Sequence, residues 1–171
     1  MNQKILYIFI SLFLAFSCQN KNQKKESDYV VLKYRSEWNW IYKNAQPTEL
    51  TESEISKIEE LLEKAVAEYN LGQAKNIKER KEWFEKTYPD KDFSKSEPKL
   101  EITLTDYKRQ YVPVIKENGE KEVWVNLFCT IEHTDWKNEI VKVYDGGNCF
   151  FNLKINLTKN SYSDFNVNGS A

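Results

Sequence analysis

The sequence predicts an α+β fold in which one main helix packs on a curled antiparallel sheet of four to six strands. Three observations support this prediction. An amphipathic helical segment follows Thr51, residues 122–131 and 148–157 alternate apolar and polar side chains with period two, and Asn118-Gly119 marks a tight turn before the first of these segments. A helix with one apolar stripe needs one apolar sheet face, so we expect a single domain.

The first segment has the composition of an export signal. Lys4 precedes a twelve-residue, largely apolar run from Ile5 to Phe16, which is followed by Ser17 and Cys18. The run is too short to span a bilayer as a mature helix, and it lies where an export signal lies. The segment resembles a bacterial lipoprotein signal, in which a small residue precedes the cysteine that becomes the lipidated N-terminus.

This resemblance implies that residues 1–17 are removed and that acyl chains on Cys18 anchor the protein to a membrane. Ordinary secretory cleavage is the alternative, because Ala15 and Ser17 also satisfy the small-x-small rule for a cut at the same bond. We favour lipidation, since a cysteine directly after the cleavage point is otherwise hard to explain. Both alternatives export the protein, and lipidation places it in the bacterial cell envelope, on the periplasmic or outer-membrane face.

The rest of the chain is predicted to form a short tether and one domain. Residues 18–28 contain Cys18 and a polar run without aliphatic or aromatic side chains, which cannot bury a core. Residues 29–171 are long enough for one domain, and a second would not fit comfortably. Lys and Arg number 25 while Asp and Glu number 26, so nucleic acid is not the expected partner.

The domain is predicted to begin with an edge strand at residues 29–35, followed by the densest aromatic patch in the sequence. Trp38, Trp40 and Tyr42 recur there with period two. Such rings form ligand platforms for sugars or peptides, but they more often cover the open end of a core. We therefore favour a structural role for this patch.

The clearest helix is predicted to begin at Thr51. Thr51 and Glu54 have the spacing of a capping box, in which each residue satisfies a free backbone N–H of the other. An apolar stripe follows, and Gly72 is predicted to end the helix. A short second helix is predicted at residues 76–86.

From Leu100 onwards the sequence is predicted to be β-structure. Asn118-Gly119 is typical of a hairpin turn, and Asp145-Gly146-Gly147 indicates a second tight turn. The predicted strands are residues 102–115, 122–131, 140–144, 148–157 and 162–167. This order of strand, helix and meander resembles the cystatin-like and nuclear-transport-factor-like classes. The resemblance lies in element order alone, and such folds host many functions.

Cys129 and Cys149 remain as an even pair when Cys18 is set aside. An exported chain can join them if their strands are neighbours, since a disulfide needs alpha carbons about 5.5 Å apart. If residues 140–144 form a strand between them, the separation is about 10 Å and both thiols stay free. The sequence leaves both arrangements open. No metal site is expected, because neither cysteine has a partner at metal-ligand spacing.

The sheet face away from the helix is the predicted binding surface. One helix covers one face, so part of the other is expected to be open to a partner protein, peptide or glycan. The alternative is that residues 76–92 or the Trp38 segment fold over it. The candidate residues are aromatic, amide or basic: Tyr107, Arg109, Tyr111, Trp124, Asn126, Phe128, Phe150 and Asn152, with Trp38 and Trp40 from the aromatic patch.

Catalysis has little support in the sequence. His133 is the only histidine and has no nucleophile at a recognisable spacing. No phosphate-binding glycine loop or hydrolase motif occurs, and no cofactor is expected. The sequence therefore favours a non-catalytic, lipid-anchored envelope protein that binds through its sheet. One alternative is an exported inhibitor or immunity protein, and another is an enzyme of the nuclear-transport-factor-like kind.

Overall fold

The structure, a computed structural model, describes residues 28–95, 100–130 and 135–169 of the 171-residue chain. The predicted export signal, Cys18 and His133 lie outside these residues. One long helix packs against a mixed sheet of six strands that is not closed, so the predicted α+β class is confirmed. The elements are β1 (Tyr29–Val31), β2 (Gln46–Pro47), α1 (Glu52–Thr87), β3 (Lys108–Ile115), β4 (Lys121–Phe128), β5 (Phe150–Asn156) and β6 (Ser161–Val167).

Four antiparallel strands form the body of the sheet, in the order β3-β4-β5-β6. The predicted Asn118-Gly119 turn joins β3 to β4, and Gly119 has a φ of 80°, which glycine adopts without steric penalty. The short strands β1 and β2 both pair with the outer edge of β3, and β1 runs parallel to it. The sheet is therefore mixed rather than wholly antiparallel, because a long crossover containing α1 connects β1 to β3.

The helix α1 begins where the sequence predicts but ends at Thr87 instead of Gly72. Thr51 is the N-cap: its hydroxyl accepts the Glu54 N–H at 3.2 Å, and the Glu54 carboxylate accepts the Thr51 N–H at 2.8 Å. Gly72 lies inside the helix, because one glycine costs only about 1 kcal/mol against the good helix formers around it. The predicted helix at residues 76–86 is the distal part of α1.

The main core fills the space between the first half of α1 and one face of the sheet. Its buried side chains include Ile58, Leu61, Leu62, Ala65 and Val66 of α1, Val123, Val125 and Leu127 of β4, and Phe151, Leu153 and Ile155 of β5. The apolar side of the alternation predicted for residues 122–131 and 148–157 therefore forms the sheet face that packs on the helix. Later in α1, Leu71 and Trp83 are exposed. None of the helices in the described ranges combines the length and hydrophobicity needed to cross a bilayer.

The side-chain directions of β3 differ from the prediction. Tyr107, Arg109 and Tyr111 were expected on the face away from the helix, but β3 pairs with β4 so that Tyr111 lies opposite Val125, on the helix side. Residues directly opposite each other in an antiparallel pair share a face. The strand predicted from residue 102 is interrupted by a 3₁₀ turn at Leu104–Asp106, which shifts the alternation.

Candidate binding cleft

Two irregular segments cover most of the sheet face that lies away from α1. We call residues 32–45 the first cover segment and residues 135–146 the second. In the first, Trp38 and Tyr42 are buried against a cluster that includes Val112 and Trp124. In the second, Trp136 and Val141 pack with Phe128 of β4. The structural role predicted for the Trp38 patch is therefore confirmed for Trp38 and Tyr42.

The sheet face away from α1 was expected to be partly open, but the candidate residues of β4 are covered. Trp124, Asn126 and Phe128 are each at most 8% exposed, because both cover segments lie on them. The second cover segment includes residues 140–144, which were predicted to be a strand of the sheet. They do not form a strand, but their side chains still alternate between buried and exposed positions. Val141 is buried, whereas Lys142 and Tyr144 are exposed.

Buried amide side chains hold the second cover segment onto the sheet. The Gln110 amide nitrogen donates to the carbonyl oxygens of Trp136 and Glu139 at 2.6 and 2.7 Å, and its side-chain oxygen accepts the Val141 N–H at 3.0 Å. Asn126 donates to the Val141 carbonyl at 2.8 Å and to Gln110 at 3.1 Å. Asn126, predicted to contact a ligand, therefore has a structural role, because buried polar groups need partners.

A disulfide closes the loop that contains the second cover segment. Cys129 follows β4 and Cys149 precedes β5, and the two alpha carbons are 5.0 Å apart with the sulfur atoms bonded. Because β4 and β5 are direct neighbours, with Phe128 opposite Phe150, the two thiols meet at the end of the strand pair. Of the two arrangements that the sequence left open, the structure has the bonded one.

The predicted binding residues Tyr107, Arg109 and Tyr111 instead connect elements of the fold on the helix side of the sheet. The buried Tyr111 hydroxyl donates to Glu59 of α1, and Arg109 Nε lies 3.4 Å from the same carboxylate. Burial raises the pKa of Tyr111, and the charge of Glu59 raises it further. The Tyr107 hydroxyl donates to the Asn148 carbonyl at 2.7 Å. These groups connect elements of the fold rather than face an open surface.

An open cleft remains between the two cover segments. It has a volume of about 350 Å³, within the range of roughly 300–1,000 Å³ that is typical of small-molecule sites. An adjoining section of about 240 Å³ shares Trp40, Trp124 and Asn152 with it. We call the two sections together the tryptophan cleft. Its lining includes Trp40, Trp124, Lys142, Tyr144, Phe150 and Asn152.

The walls of the tryptophan cleft are aromatic. Trp40 meets Trp124 edge to face, with ring centroids 5.5 Å apart and planes at 84°. Trp124 Nε1 in turn donates to Asn152 Oδ1 at 3.2 Å, which fixes the orientation of that amide. Trp40 is 51% exposed and Tyr144 is 82% exposed. Each comes from a different cover segment, so the cleft exists only when both segments are in place.

The charged groups of the cleft differ in how they are paired. Lys142 Nζ lies 4.9 Å from the Trp40 ring centroid and 5.3 Å from that of Tyr144. In the adjoining section, Lys154 pairs with Asp164 at 2.9 Å. Asp164 has a φ of 53° and lies where the β5–β6 register shifts, so a β-bulge directs it.

Sequence reasoning found five lining residues of this cleft and missed its basic wall. The candidates Trp40, Trp124, Asn126, Phe150 and Asn152 do lie together, while Lys142 and Tyr144 were not singled out. The sequence feature that could have indicated them is the alternation from Val141 to Tyr144, in which Lys142 and Tyr144 are the more polar positions. The segment was predicted to be a strand within the sheet. It lies over the sheet instead, so its side chains were not expected to line a cleft there.

No side chains in the described ranges form a group of three or more His, Cys, Asp or Glu residues that could hold a metal ion. Comparison of the chain with protein-family models, with curated proteins and with solved structures finds no match. A fold class by itself does not define an activity, so the cleft is the structural feature that bears on what the protein binds.

Proposed function

We propose that the protein is a lipid-anchored, non-catalytic binding module of the bacterial cell envelope, and that its ligand occupies the tryptophan cleft. The observation that carries the proposal is the placement of Trp40 and Tyr144. These large rings come from different segments, are exposed, and line one concave surface. Aromatic side chains around a concavity, with a few polar groups between them, are typical of ligand sites.

Two observations support the envelope location. The sequence up to Cys18 resembles a lipoprotein signal, and the Cys129–Cys149 disulfide is typical of compartments where thiols are oxidised. Polar residues 19–28 then act as a tether that leaves the domain free to meet its ligand near the membrane.

Binding has better support than catalysis in the described part of the chain. An enzyme of the nuclear-transport-factor-like kind would hold its site inside the curled sheet, on the helix side. There, Ile58, Leu62 and Leu153 are fully buried in one apolar core. In the cleft, the pair of ionisable groups in contact is Lys154 and Asp164, and the Asp164 side chain is 56% exposed to solvent. An exposed ion pair is an ordinary surface feature.

Loss of the exposed cleft rings tests the binding site. Immobilised full-length protein is incubated with soluble glycans and peptides released from the envelope, and the retained molecules are quantified by mass spectrometry. We expect Trp40→Ala combined with Tyr144→Ala to lower retention at least tenfold. Trp83→Ala is the matched control, because Trp83 is 59% exposed but lies far along α1. Equal retention by the cleft variant and the control would refute the proposal.

The anchor is tested by Cys18→Ser. This change removes the only residue that lipidation can use at the cleavage point, so the protein should move from the membrane fraction to the soluble fraction. Ser17→Ala keeps a small residue before the cysteine and should leave the protein in the membrane fraction. A Cys18→Ser protein that stays with the membrane would show that the anchor proposal is wrong.

A further inference from the structure

We infer that the ligand of the tryptophan cleft is a carboxylate-bearing saccharide, with a sugar ring against Trp40 or Tyr144 and its carboxylate against Lys142. This inference rests on the proposed function and deepens it by naming the ligand class. It is carried by the unpaired charge of Lys142, the amide of Asn152, and the position of the cleft over a sheet face whose backbone groups are already paired.

Lys142 carries the unpaired charge of the tryptophan cleft. Across the described residues, the Lys142 ammonium has no carboxylate partner, whereas Lys154 in the adjoining section is neutralised by Asp164 at 2.9 Å. The rings of Trp40 and Tyr144 hold the Lys142 ammonium at the cleft through cation–π contacts. Its three N–H donors have no hydrogen-bond acceptor within the described ranges. A positioned ammonium with free donors is complementary to an anionic group, and a carboxylate accepts such bonds strongly.

The rings and the amide favour a sugar over a simple organic acid. Pyranose rings have apolar C–H faces that pack on aromatic rings and hydroxyls that bond amides. The Asn152 side-chain oxygen accepts the Trp124 N–H. The Asn152 NH₂ group has no acceptor among residues 28–95, 100–130 and 135–169, so it is available to a ligand oxygen. Trp40, Tyr144 and Asn152 thus offer both kinds of contact within one cleft.

The position of the cleft disfavours an extended peptide. Peptides bound to sheets typically add a strand and use backbone hydrogen bonds at a sheet edge. The cleft lies over β4 and β5, and each of these strands is paired on both sides. Their backbone groups are therefore committed, and recognition must use side chains, which suits a polyhydroxylated ligand. The adjoining section with Lys154, Asp164 and Asn166 can accept the hydroxyls of a second sugar ring.

The test measures binding of three probes to the full-length protein in detergent by isothermal titration calorimetry. The probes are trigalacturonate, its neutral methyl ester, and triglutamate, which carries carboxylates without sugar rings. We expect trigalacturonate to bind at least tenfold more tightly than either of the others and to weaken as salt is raised, because screening reduces the attraction to Lys142. Lys142→Gln should lower trigalacturonate affinity about tenfold, and Lys142→Arg should retain it.

Lys137→Gln is the matched control, since Lys137 also lies over a ring in the second cover segment, that of Trp136. It should bind like the wild type. If the ester binds as well as the acid and Lys142→Gln has no effect, the charge assignment is wrong while the cleft remains a sugar site. Equal binding of triglutamate, or no binding of trigalacturonate, refutes the ligand class. If a probe binds and Trp40→Ala leaves its affinity unchanged, the proposed function fails instead.

Discussion

The side-chain oxygen of Gln110 accepts the backbone N–H of Val141 at 3.0 Å, although the two residues are 31 positions apart in the chain. Gln110 is fully buried in the sheet, and Val141 lies next to Lys142 in the second cover segment. This bond therefore connects the sheet to the wall of the tryptophan cleft that carries its unpaired charge.

Removing the Gln110 amide should destabilise the protein. In Gln110→Leu, the Val141 N–H and the Trp136 and Glu139 carbonyls lose buried partners. Each unsatisfied group costs about 1–3 kcal/mol, so the loss of all three should lower the free energy of unfolding by at least about 3 kcal/mol. Urea denaturation measures it. Gln46→Leu, at an exposed position of β2, should change it by less than about 0.5 kcal/mol. Equal effects of both substitutions would contradict the role given to Gln110.

Breaking the disulfide should also lower stability. Cys129 and Cys149 are separated by 20 positions, and a crosslink closing a loop of this length stabilises the fold by about 3 kcal/mol in the chain-entropy model. The double variant Cys129→Ser, Cys149→Ser should therefore unfold at a lower urea concentration. Wild-type protein should match it once reductant is added. A variant that still responded to reductant would show that another thiol is involved.

The N-cap of α1 is predicted to contribute measurably to the stability of the protein. Thr51→Ala removes the hydroxyl that accepts the Glu54 N–H, and loss of such a cap costs about 1 kcal/mol. Ser163→Ala, at an exposed position of β6, is the control for removing a hydroxyl. Thermal unfolding followed by circular dichroism compares the two. Equal decreases in the unfolding midpoints of the two variants would contradict the capping role of Thr51.

Stability should fall at alkaline pH, in part through Tyr162. Its hydrogen bond to Glu68 and its burial raise the pKa of Tyr162 to about 12 from its ordinary value of 10. The unfolded chain releases this proton near pH 10 while the folded chain keeps it, so the stabilisation is complete below pH 10 and lost as pH rises to 12. Tyr162→Phe should be less stable than wild type at pH 8 and equal to it near pH 12. Tyr88→Phe, an exposed control, should show no such convergence.

Much of the fold follows from local sequence patterns. The Thr51 capping box and the Asn118-Gly119 hairpin are short-range signals, and both lie where they were predicted. Alternation also placed Val125 and Leu153 correctly in the core, because neither strand is interrupted. These features depend on residues close in the chain, so one sequence suffices to predict them.

The errors arose where tertiary contacts override local patterns. Gly72 looked like a helix end, but the helix continues because its neighbours favour it. The side-chain direction of Tyr111 depended on a 3₁₀ turn that has no strong sequence signal. The coverage of Asn126 by the second cover segment depends on long-range bonds to Gln110 and Val141. The aromatic residues predicted part of the cleft lining. The open space itself depends on how the two cover segments, which are distant in sequence, pack over the sheet.

The ring closed by the Cys129–Cys149 bond contains Lys142 and Tyr144 but not Trp40. One wall of the cleft is thus covalently restrained, while the other is held by packing and by hydrogen bonds such as that from the Leu32 N–H to the Tyr111 carbonyl. Before this bond forms, the basic wall would be held by its packing and by the Gln110 and Asn126 hydrogen bonds, without a covalent restraint. On the proposed route, oxidation after export adds that restraint and becomes a maturation step for the ligand site.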